Sequence, residues 1–212
     1  MKDSVIRIRT DEPDLSALPK LEFDWEKSVY GNVRELIPED APKPLGKFVT
    51  IIHYVDANLM HCLLTGRFVT GILTFINKTP IDWFSKKQST VETATYGSEF
   101  VAARIAVERL IELRLTLRYL GVSIRETDYM FGDNESVVNS ATLPHAKLHK
   151  RHNALSFHRV REAIASKIVQ FHHIPGVTNP ADILSKHWGY TQIWDVLKPI
   201  LFWEGDTYDL LK

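Results

Sequence analysis

The feature that most restricts the fold is a run of apolar and β-branched residues, FVTIIHYV at positions 48–55, which is followed directly by Asp56. Such a run is typical of a strand that is buried on both faces, as at the centre of a sheet. The segments FVTGILTFIN and PIDWFS predict a second and a third strand, with a turn at positions 64–67, so that the three strands form an antiparallel meander. The chain therefore holds a carboxylate where its central strand ends.

A long helix is predicted at positions 96–120, where Gly121 suits the C-terminal cap. Residues spaced alternately by four and three form one face of this helix: Glu99, Ala103, Ala106, Leu110, Leu113, Leu117 and Leu120. Glu99 heads a face that is otherwise apolar. It is either a functional carboxylate or a solvated first-turn residue that favours the helix N-terminus.

Two further acids occupy similar places. The strand-like YMFG runs directly into Asp133 before a predicted helix, NESVVNSA. The strand-like IVQFHHIP leads through GVTN to Asp182, in the first turn of a predicted helix, PADILSKHW, which Pro180 starts. Taken singly, each acid is explained as a turn or cap residue. Taken with Asp56 and Glu99, they place four acids at the ends of successive elements.

The predicted fold is α/β, with a mixed five-stranded sheet flanked by helices. In such a sheet the ends of neighbouring central strands and the starts of adjacent helices can meet on one side. Clustered carboxylates repel one another and raise the pKa of at least one carboxyl, whereas Mg²⁺ or Mn²⁺ neutralises them through oxygen ligands at about 2.0 to 2.1 Å. The four acids therefore indicate a divalent-metal site.

Composition narrows the class of protein. With 44% hydrophobic and 25% charged residues, a chain of 212 residues is typical of one globular domain with extensions. No apolar run approaches the roughly 20 residues that cross a bilayer, and the start, MKDSVIRIRTDEPD, lacks the apolar region of a secretory signal. The one cysteine, Cys62, excludes an internal disulfide and favours a reducing compartment. Neither membrane insertion nor secretion is predicted.

Both ends of the chain are predicted to be extensions. Residues 1–47 carry ten acids, eight bases and five prolines, which is typical of an extended lead-in or a remnant of an upstream neighbour. A boundary is predicted near Gly46, with the main domain at 48–187. In the tail, 188–212, large apolar residues are predicted to clamp the segment onto the core or to serve a partner subunit: Trp188, Tyr190, Trp194, Leu197, Ile200, Leu201, Phe202 and Trp203.

Several motifs occur together and in one order: VDANLMHCLLTGRFVTG, PIDWFSKKQSTVETATYGSEFVAAR, YMFGDNESVV, KLHKRHNALSFHRVREAI and HIPGVTNPADILSK. With them the chain resembles the RNase H domain of a copia-type retrotransposon reverse transcriptase polyprotein, over about residues 48–187. The tail HWGYTQIWDVLKPILFWEGDT is similar to the polyprotein end in such elements, particularly those of diatoms. The resemblance is specific because SKKQSTVETATYGSEF, DNES and NPADILSK occur at the expected separations.

The resemblance implies an RNase H-like fold and a ribonuclease that cuts the RNA strand of RNA/DNA hybrids by a two-metal mechanism, leaving a 3′-hydroxyl and a 5′-phosphate. The metal-binding carboxylates of the family match Asp56, Glu99, Asp133 and Asp182, with Asp56 bridging two Mg²⁺ ions that Mn²⁺ can replace. The resemblance also implies a reverse transcriptase polymerase domain as a partner and a cytoplasmic particle as the location.

The histidines of the chain depart from the family pattern. Cellular and retroviral relatives carry a histidine in the loop before the last aspartate, whereas the loop here, IPGVTNPAD, has none. His172 or His173 could substitute, but both are predicted to belong to the preceding strand. A zinc site built from these residues with His149 and His152 is not expected, because structural zinc usually takes four ligands in paired spacings, often with cysteine.

Substrate contacts are predicted from local charge, since 26 basic and 26 acidic residues cancel over the whole chain. The part between His145 and His187 is basic, and its helix residues either contact phosphates or form a solvated face: Lys147, Lys150, Arg151, Arg159 and Arg161. Small polar residues near the acids are candidates for reading the 2′-hydroxyls of a hybrid: Asn58, Ser98, Asn134 and Ser136. In the third strand, Lys86, Lys87 and Gln88 either approach a phosphate backbone or block aggregation at a sheet edge.

Two hypotheses from different classes follow. The favoured one is an active metal-dependent ribonuclease of reverse transcription. Its rival is a catalytically silent RNase H-like fold that serves as a nucleic-acid or protein binding module, although a silent copy has no physical reason to keep four mutually repulsive carboxylates. A third hypothesis, another nuclease or a transposase-like protein of the same fold, is disfavoured by the D-N and A-D-I-L motifs.

Overall fold

The computed structural model describes residues 4–6, 9, 11–21, 23–58, 67–89, 92, 94–148, 151–186 and 201–203, the first and last of these ranges through the backbone alone. The strands, numbered along the chain, are β1 Ser4–Ile6, β2 Leu45–Val49, β3 Ile51–Asn58, β4 Val69–Ile76, β5 Thr79–Lys87, β6 Val122–Ile124, β7 Asp128–Gly132, β8 Val169–His173 and β9 Leu201–Trp203. The helices are α1 Thr95–Tyr119, α2 Glu135–Thr142, α3 Ala154–Ala165 and α4 Asp182–Ser185.

The main sheet has five strands in the order β5-β4-β3-β7-β8. On one side of β3, β4 and β5 continue the sheet in antiparallel pairing, and on the other side β7 and β8 continue it in parallel pairing. The predicted mixed five-stranded sheet flanked by helices is confirmed. Two small sheets lie outside it, one formed by β2 and β6 in parallel and one by β1 and β9 in antiparallel pairing.

Helix α1 packs on β3, and small side chains allow a close approach. Ala102, Ala103 and Ala106 are fully buried and share the core with Ile51 and Val55 of β3. The helix spans positions 95–119, so the predicted range of 96–120 is correct to one residue at each end. Because this packing fixes the start of α1 against the sheet, it also fixes the position of the glutamate near that start.

The N-terminal segment contacts the core through aromatic side chains. Trp25 is buried, and its ring and that of Tyr30 lie 4.9 and 5.6 Å from the guanidinium carbon of Arg161 in α3. The Tyr30 hydroxyl is 2.7 Å from His158 Nδ1. A guanidinium is attracted to the faces of aromatic rings, so these contacts hold the segment against α3. Between β1 and β2, the described residues form turns and extended backbone without a helix.

A buried ion cluster joins the same segment to α1 and β7. Arg114 in α1 is fully buried and donates to both carboxylate oxygens of Glu35, at 2.9 and 2.8 Å. It also donates to Asp128, whose other oxygen accepts from the Ile51 N–H at 2.8 Å. Burial alone would raise the pKa of Glu35, but hydrogen bonds from Arg114 and Arg118 lower it to about 2. Glu35 therefore stays charged and is fixed to the core.

Several predictions concern residues outside the described parts. The predicted turn at positions 64–67 is described only at Arg67, and Lys150 and His149 are not described. Of the predicted tail at 188–212, only the backbone of β9 is described, paired with β1. The predicted domain limits stay predictions. Across the described residues, no helix is long and apolar enough to cross a lipid bilayer.

Candidate active site

Three carboxylates converge from three different elements. Asp56 in β3, Glu99 near the start of α1 and Asp133 directly after β7 each offer an oxygen, and these oxygens lie within 4.8 Å of one another. Asp56 and Glu99 are buried, and Asp133 is half-buried. The burial of Glu99 rules out the alternative of a solvated residue at the helix start. Among the described residues, the cluster of metal-ligating side chains contains carboxylates alone, without histidine or cysteine.

The pairing of β3 with β7 explains why Asp56 and Asp133 meet. Val55 pairs with Gly132 in parallel register, so the next residue of each strand lies at the same edge of the sheet. On its other side β3 continues for three more residues along β4, with Asp56 opposite Gly71. The strand predicted to end at Val55 is therefore longer than expected, because the antiparallel pairing continues after the parallel pairing stops.

Asp182 joins this group from the first residue of α4, through a lysine that sequence reasoning did not single out. Lys186 Nζ lies 2.7 Å from Asp182 Oδ1 and 3.6 Å from Asp56 Oδ1. Lys186 follows Asp182 by four residues, a spacing at which helix side chains are neighbours, and this spacing is the signal that could have indicated it. The structure thus brings Asp56, Glu99 and Asp133 together, and Lys186 links Asp182 to Asp56.

Hydrogen bonds from α4 and the preceding loop hold β3 and Asp56 in place. Ser185 Oγ donates to Asp56 Oδ2, and Asn58 Nδ2 donates to the Ser185 carbonyl at 3.2 Å. Asn179 Nδ2 donates to the Val55 carbonyl at 3.0 Å. Asn58, predicted to contact nucleic acid, therefore uses its amide to hold α4. Sequence reasoning missed Ser185 and Asn179, because a single serine or asparagine near a turn is most simply explained by the turn itself.

Helix α4 can lie over β4 because residue 71 is glycine. A Cβ at Gly71 would lie 2.7 Å from the Ala181 carbonyl oxygen and 3.1 Å from the Ser185 nitrogen, both of which are backbone atoms. We expect Gly71→Ala to displace α4, to lower the free energy of unfolding by ~1–3 kcal/mol and to weaken Mg²⁺ binding. Thermal denaturation and calorimetric Mg²⁺ titration measure the two effects, and an unchanged melting temperature would contradict this account of the packing.

Burial and mutual repulsion raise the pKa values of three carboxyls. Burial raises the pKa of Glu99 well above its usual value, and the charges of Asp56 and Asp133 raise it further. Burial and the charge of Asp56 likewise raise the pKa of Asp133. Burial raises the pKa of Asp182 to about 6, helped by the charges of Asp56 and Asp133 and opposed by Lys186. A donor set of crowded carboxylate oxygens fits hard divalent cations such as Mg²⁺ or Mn²⁺.

The raised pKa of Asp182 predicts a metal affinity that depends on pH. Between its usual value of 3.8 and about 6, the folded protein keeps a proton that the unfolded chain releases. This group therefore stabilises the metal-free fold at low pH, and its contribution is lost as the pH rises through about 6. A divalent ion has to displace the same proton, so Mg²⁺ affinity should fall about fourfold from about pH 7.5 to about pH 5.5. Calorimetry in buffers of different ionisation enthalpy measures the proton release, and an affinity that is constant over this range would contradict the prediction.

Sequence comparison relates the chain to retrotransposon polyproteins. The chain is 27% identical over 135 residues to the retrovirus-related Pol polyprotein from transposon TNT 1-94 of Nicotiana tabacum, a match that covers 63% of this chain and 10% of that polyprotein. It is 24% identical over 116 residues to the corresponding polyprotein from transposon RE2 of Arabidopsis thaliana, covering 55% and 8%. The chain thus spans about a tenth of the length of these curated relatives. No protein-family profile matches it.

A solved structure shows the same architecture. The crystal structure of LC11-RNase H1 in complex with RNA/DNA hybrid aligns with a TM-score of 0.51 at 20% identity, over 64% of this chain and 94% of that one. The chain has the RNase H fold. Together with the polyprotein relatives, this confirms the predicted resemblance to an RNase H domain of a retrotransposon polyprotein. The copia type and the likeness to diatom elements stay predictions.

The residues that are predicted to contact nucleic acid differ in how exposed they are. Ser136 is exposed near the start of α2, and Arg151 is exposed just before α3. Asn134 is half-buried and caps α2, where its side chain accepts from a backbone N–H at 3.2 Å. Ser98 is fully buried, and its hydroxyl donates to a carbonyl in the same helical turn at 2.8 Å. Ser98 therefore offers no surface to a nucleic acid, whereas the roles of Ser136 and Arg151 stay predictions.

Other predicted phosphate contacts have partners within the protein. Arg161 is buried and donates to backbone carbonyls at and beyond the end of α2, at 2.6 and 2.7 Å, so the prediction that it contacts phosphate is wrong. Arg159 is half-buried and donates to Glu162 at 2.8 Å. Gln88 is buried and donates to the Ser98 carbonyl at 2.9 Å, while the two lysines before it are exposed on β5, the edge strand.

The two adjacent histidines lie in β8, as predicted. His172 is buried, and its burial lowers its pKa. His173 is exposed, and its Nε2 lies 3.1 Å from the Asp133 carbonyl. A Cβ at Gly176 in the following loop would lie 3.0 Å from Asp133 Oδ2, so this loop also approaches the carboxylate cluster. A catalytic role for His173 remains a hypothesis.

Proposed function

We propose that this chain is a metal-dependent endoribonuclease that hydrolyses the RNA strand of RNA/DNA hybrids, as in reverse transcription. The observation that carries the proposal is the meeting of Asp56, Glu99 and Asp133 within 4.8 Å, with Asp182 tied to the group through Lys186. The RNase H fold and the retrotransposon relatives support it, and a hybrid is the molecule with which LC11-RNase H1 was crystallised.

The four carboxylates would hold two Mg²⁺ ions, or Mn²⁺ in their place, because these hard ions prefer carboxylate oxygens. Such a pair of ions activates a water and stabilises the charge on the leaving 3′-oxygen. Asp56, whose two oxygens contact Lys186 and Ser185, would be one of the residues that hold the ions. The buried Glu99 and the half-buried Asp133 would be further ligands of the ions.

The contribution of the protein itself is to hold these charges in position before the substrate binds. The hydroxyl of Ser185 orients Asp56, and the packing of α1 on β3 fixes Glu99. Groups that are fixed before the substrate binds need not reorganise during the reaction. This preorganisation is the main source of electrostatic stabilisation of a transition state. Because the relatives are Pol polyproteins, we propose a reverse transcriptase polymerase domain as a partner, within a cytoplasmic particle.

The proposal is tested with a hybrid whose RNA strand carries a label, incubated with the protein and Mg²⁺ or Mn²⁺. The wild type should cut the RNA of the hybrid, leave duplex DNA and duplex RNA intact, and lose its activity with a chelator. Asp133→Asn should be inactive under the same conditions. Glu39→Gln, which removes an exposed carboxylate in the N-terminal segment, should cut as the wild type does.

The other outcomes are equally informative. Binding of the hybrid without cleavage in either metal would favour the catalytically silent binding module. Cleavage that Asp133→Asn retains would mean that the activity does not come from the carboxylate cluster. A protein that neither binds nor cleaves the hybrid would contradict both the ribonuclease and the nucleic-acid binding module.

A further inference from the structure

Lys186 places a positive charge inside the carboxylate cluster. Its ammonium nitrogen lies 2.7 Å from Asp182 Oδ1 and 3.6 Å from Asp56 Oδ1, and its side chain is 34% exposed. The chain therefore supplies one cation of its own to two of the four carboxylates of the proposed metal site.

The backbone around this lysine is held from two strands. Ser85 Oγ on β5 donates to the Leu184 carbonyl at 2.6 Å, and Asn58 Nδ2 on β3 donates to the Ser185 carbonyl at 3.2 Å. The Lys186 N–H itself donates to a carbonyl at the start of α4 at 3.0 Å. Because hydrogen bonds hold the backbone at Lys186, the fold determines where the lysine side chain meets the carboxylates.

An ammonium group and a divalent ion compete for the same oxygens. The lysine ammonium is a compact, strongly hydrated charge on a flexible stem, so it can move away without a change of the backbone. Opposite charges a few ångström apart attract strongly at a partly buried site, and like charges repel as strongly. An ion held by Asp56 and Asp182 would meet this repulsion as long as Lys186 stays in place.

We propose that Lys186 is an internal counter-ion of the metal site. It stabilises the carboxylate cluster of the metal-free protein, and it releases Asp56 and Asp182 when divalent ions bind. The metal affinity is therefore lower than the four carboxylates alone would give, while the empty cluster remains folded. This inference rests on the proposed metal-binding function.

Lys186→Met tests the inference, because it removes the charge and keeps an unbranched side chain. We expect the Mg²⁺ dissociation constant of this variant, measured by calorimetry, to be about tenfold lower than that of the wild type. Its melting temperature in chelator should be several degrees lower, because the repulsion among the carboxylates is no longer offset. Lys186→Arg keeps the charge and should stay near the wild type in both measurements.

Two further variants serve as controls. Lys186→Gln is also uncharged and should share the tighter Mg²⁺ binding, which separates the loss of charge from a packing defect of the methionine variant. Lys43→Met removes an exposed lysine of the N-terminal segment and should change neither value. A wild type that binds neither Mg²⁺ nor Mn²⁺ would overturn the proposed function and this inference together. A wild type that binds Mg²⁺, with uncharged variants that bind it equally or more weakly, would overturn the counter-ion role and leave the metal site standing.

Discussion

Asp56→Asn should reduce the rate of hybrid cleavage by at least about a thousandfold, which corresponds to ~4 kcal/mol of transition-state stabilisation. Asp56 has oxygens within 4.8 Å of ligand atoms of Glu99 and Asp133, and it also contacts Lys186 and Ser185. An asparagine oxygen can still accept the Ser185 hydroxyl, so the substitution removes the charge and keeps the shape of the site.

Although Asp56→Asn should lose activity, its thermal stability in the absence of metal should not fall. The charge of Asp56 raises the pKa values of Glu99 and Asp133, so its removal relieves repulsion within the cluster. In chelator, Asp56→Asn should therefore melt at or above the temperature of the wild type. Mg²⁺ should raise the melting temperature of the wild type, because a ligand of the native state stabilises it, and should no longer do so in the variant.

Cleavage rates and thermal denaturation with and without Mg²⁺ measure both effects. Glu39→Gln is the matched control, since it removes one exposed carboxylate from a distant segment and should leave both unchanged. If Asp56→Asn retained activity within about tenfold of the wild type, or melted several degrees lower in chelator, the role assigned to this residue would be wrong.

Arg114→Met should lower the free energy of unfolding by ~3–5 kcal/mol, which is typical of a buried ion pair that loses one partner. Arg114 and Asp128 are both fully buried, and the arginine also holds Glu35 through two hydrogen bonds. Without Arg114 the carboxylate of Asp128 has to stay charged without its cation or take up a proton. Denaturant unfolding at neutral pH measures the loss.

Two comparisons isolate the buried charge as the cause. Arg118→Met removes a second partner of Glu35 but leaves Asp128 paired, so we expect a loss of only ~1 kcal/mol. The double variant Arg114→Met with Asp128→Asn should recover part of the loss, because its interior no longer holds an unpaired charge. Equal losses in Arg114→Met and Arg118→Met would contradict the assignment.

The main sheet and α1 could be predicted because their patterns of apolar residues extend over many positions. The apolar run that ends at Val55 and the regular stripe that Glu99 heads each extend over several turns or pleats, so a strand and a helix are the elements that bury them. The pairing of β2 with β6 could not be predicted, since a strand of three residues carries no periodicity and forms only where tertiary contacts place it.

The four carboxylates of the candidate site could be predicted from the sequence, whereas the residues that position them could not. Four acids at the ends of elements indicated a common edge of the sheet, but the side chains that orient them, such as Ser185, have no pattern of their own. Buried charges were also missed. Arg114 looks like part of a solvated helix face, because its partner Glu35 lies 79 positions away in the sequence. Arg161 is predicted to contact phosphate or to lie on a solvated face because the surrounding sequence is basic, although its partners are backbone carbonyls.

The contacts of the N-terminal segment determine where a domain fused ahead of this chain would pivot. The proline-rich stretch before Gly46 resembles a hinge in the sequence, yet it is attached on both sides. Glu35 is bound to Arg114 upstream of it, and the Leu45 N–H donates to the Gly121 carbonyl at 2.8 Å downstream. Trp25 also packs on the core, and farther upstream Arg9 exchanges hydrogen bonds with the Thr79 hydroxyl at the start of β5, so such a neighbour would pivot before Arg9. The segment up to Gly46 would then not act as a flexible linker, because it is attached to α1, α3 and β5.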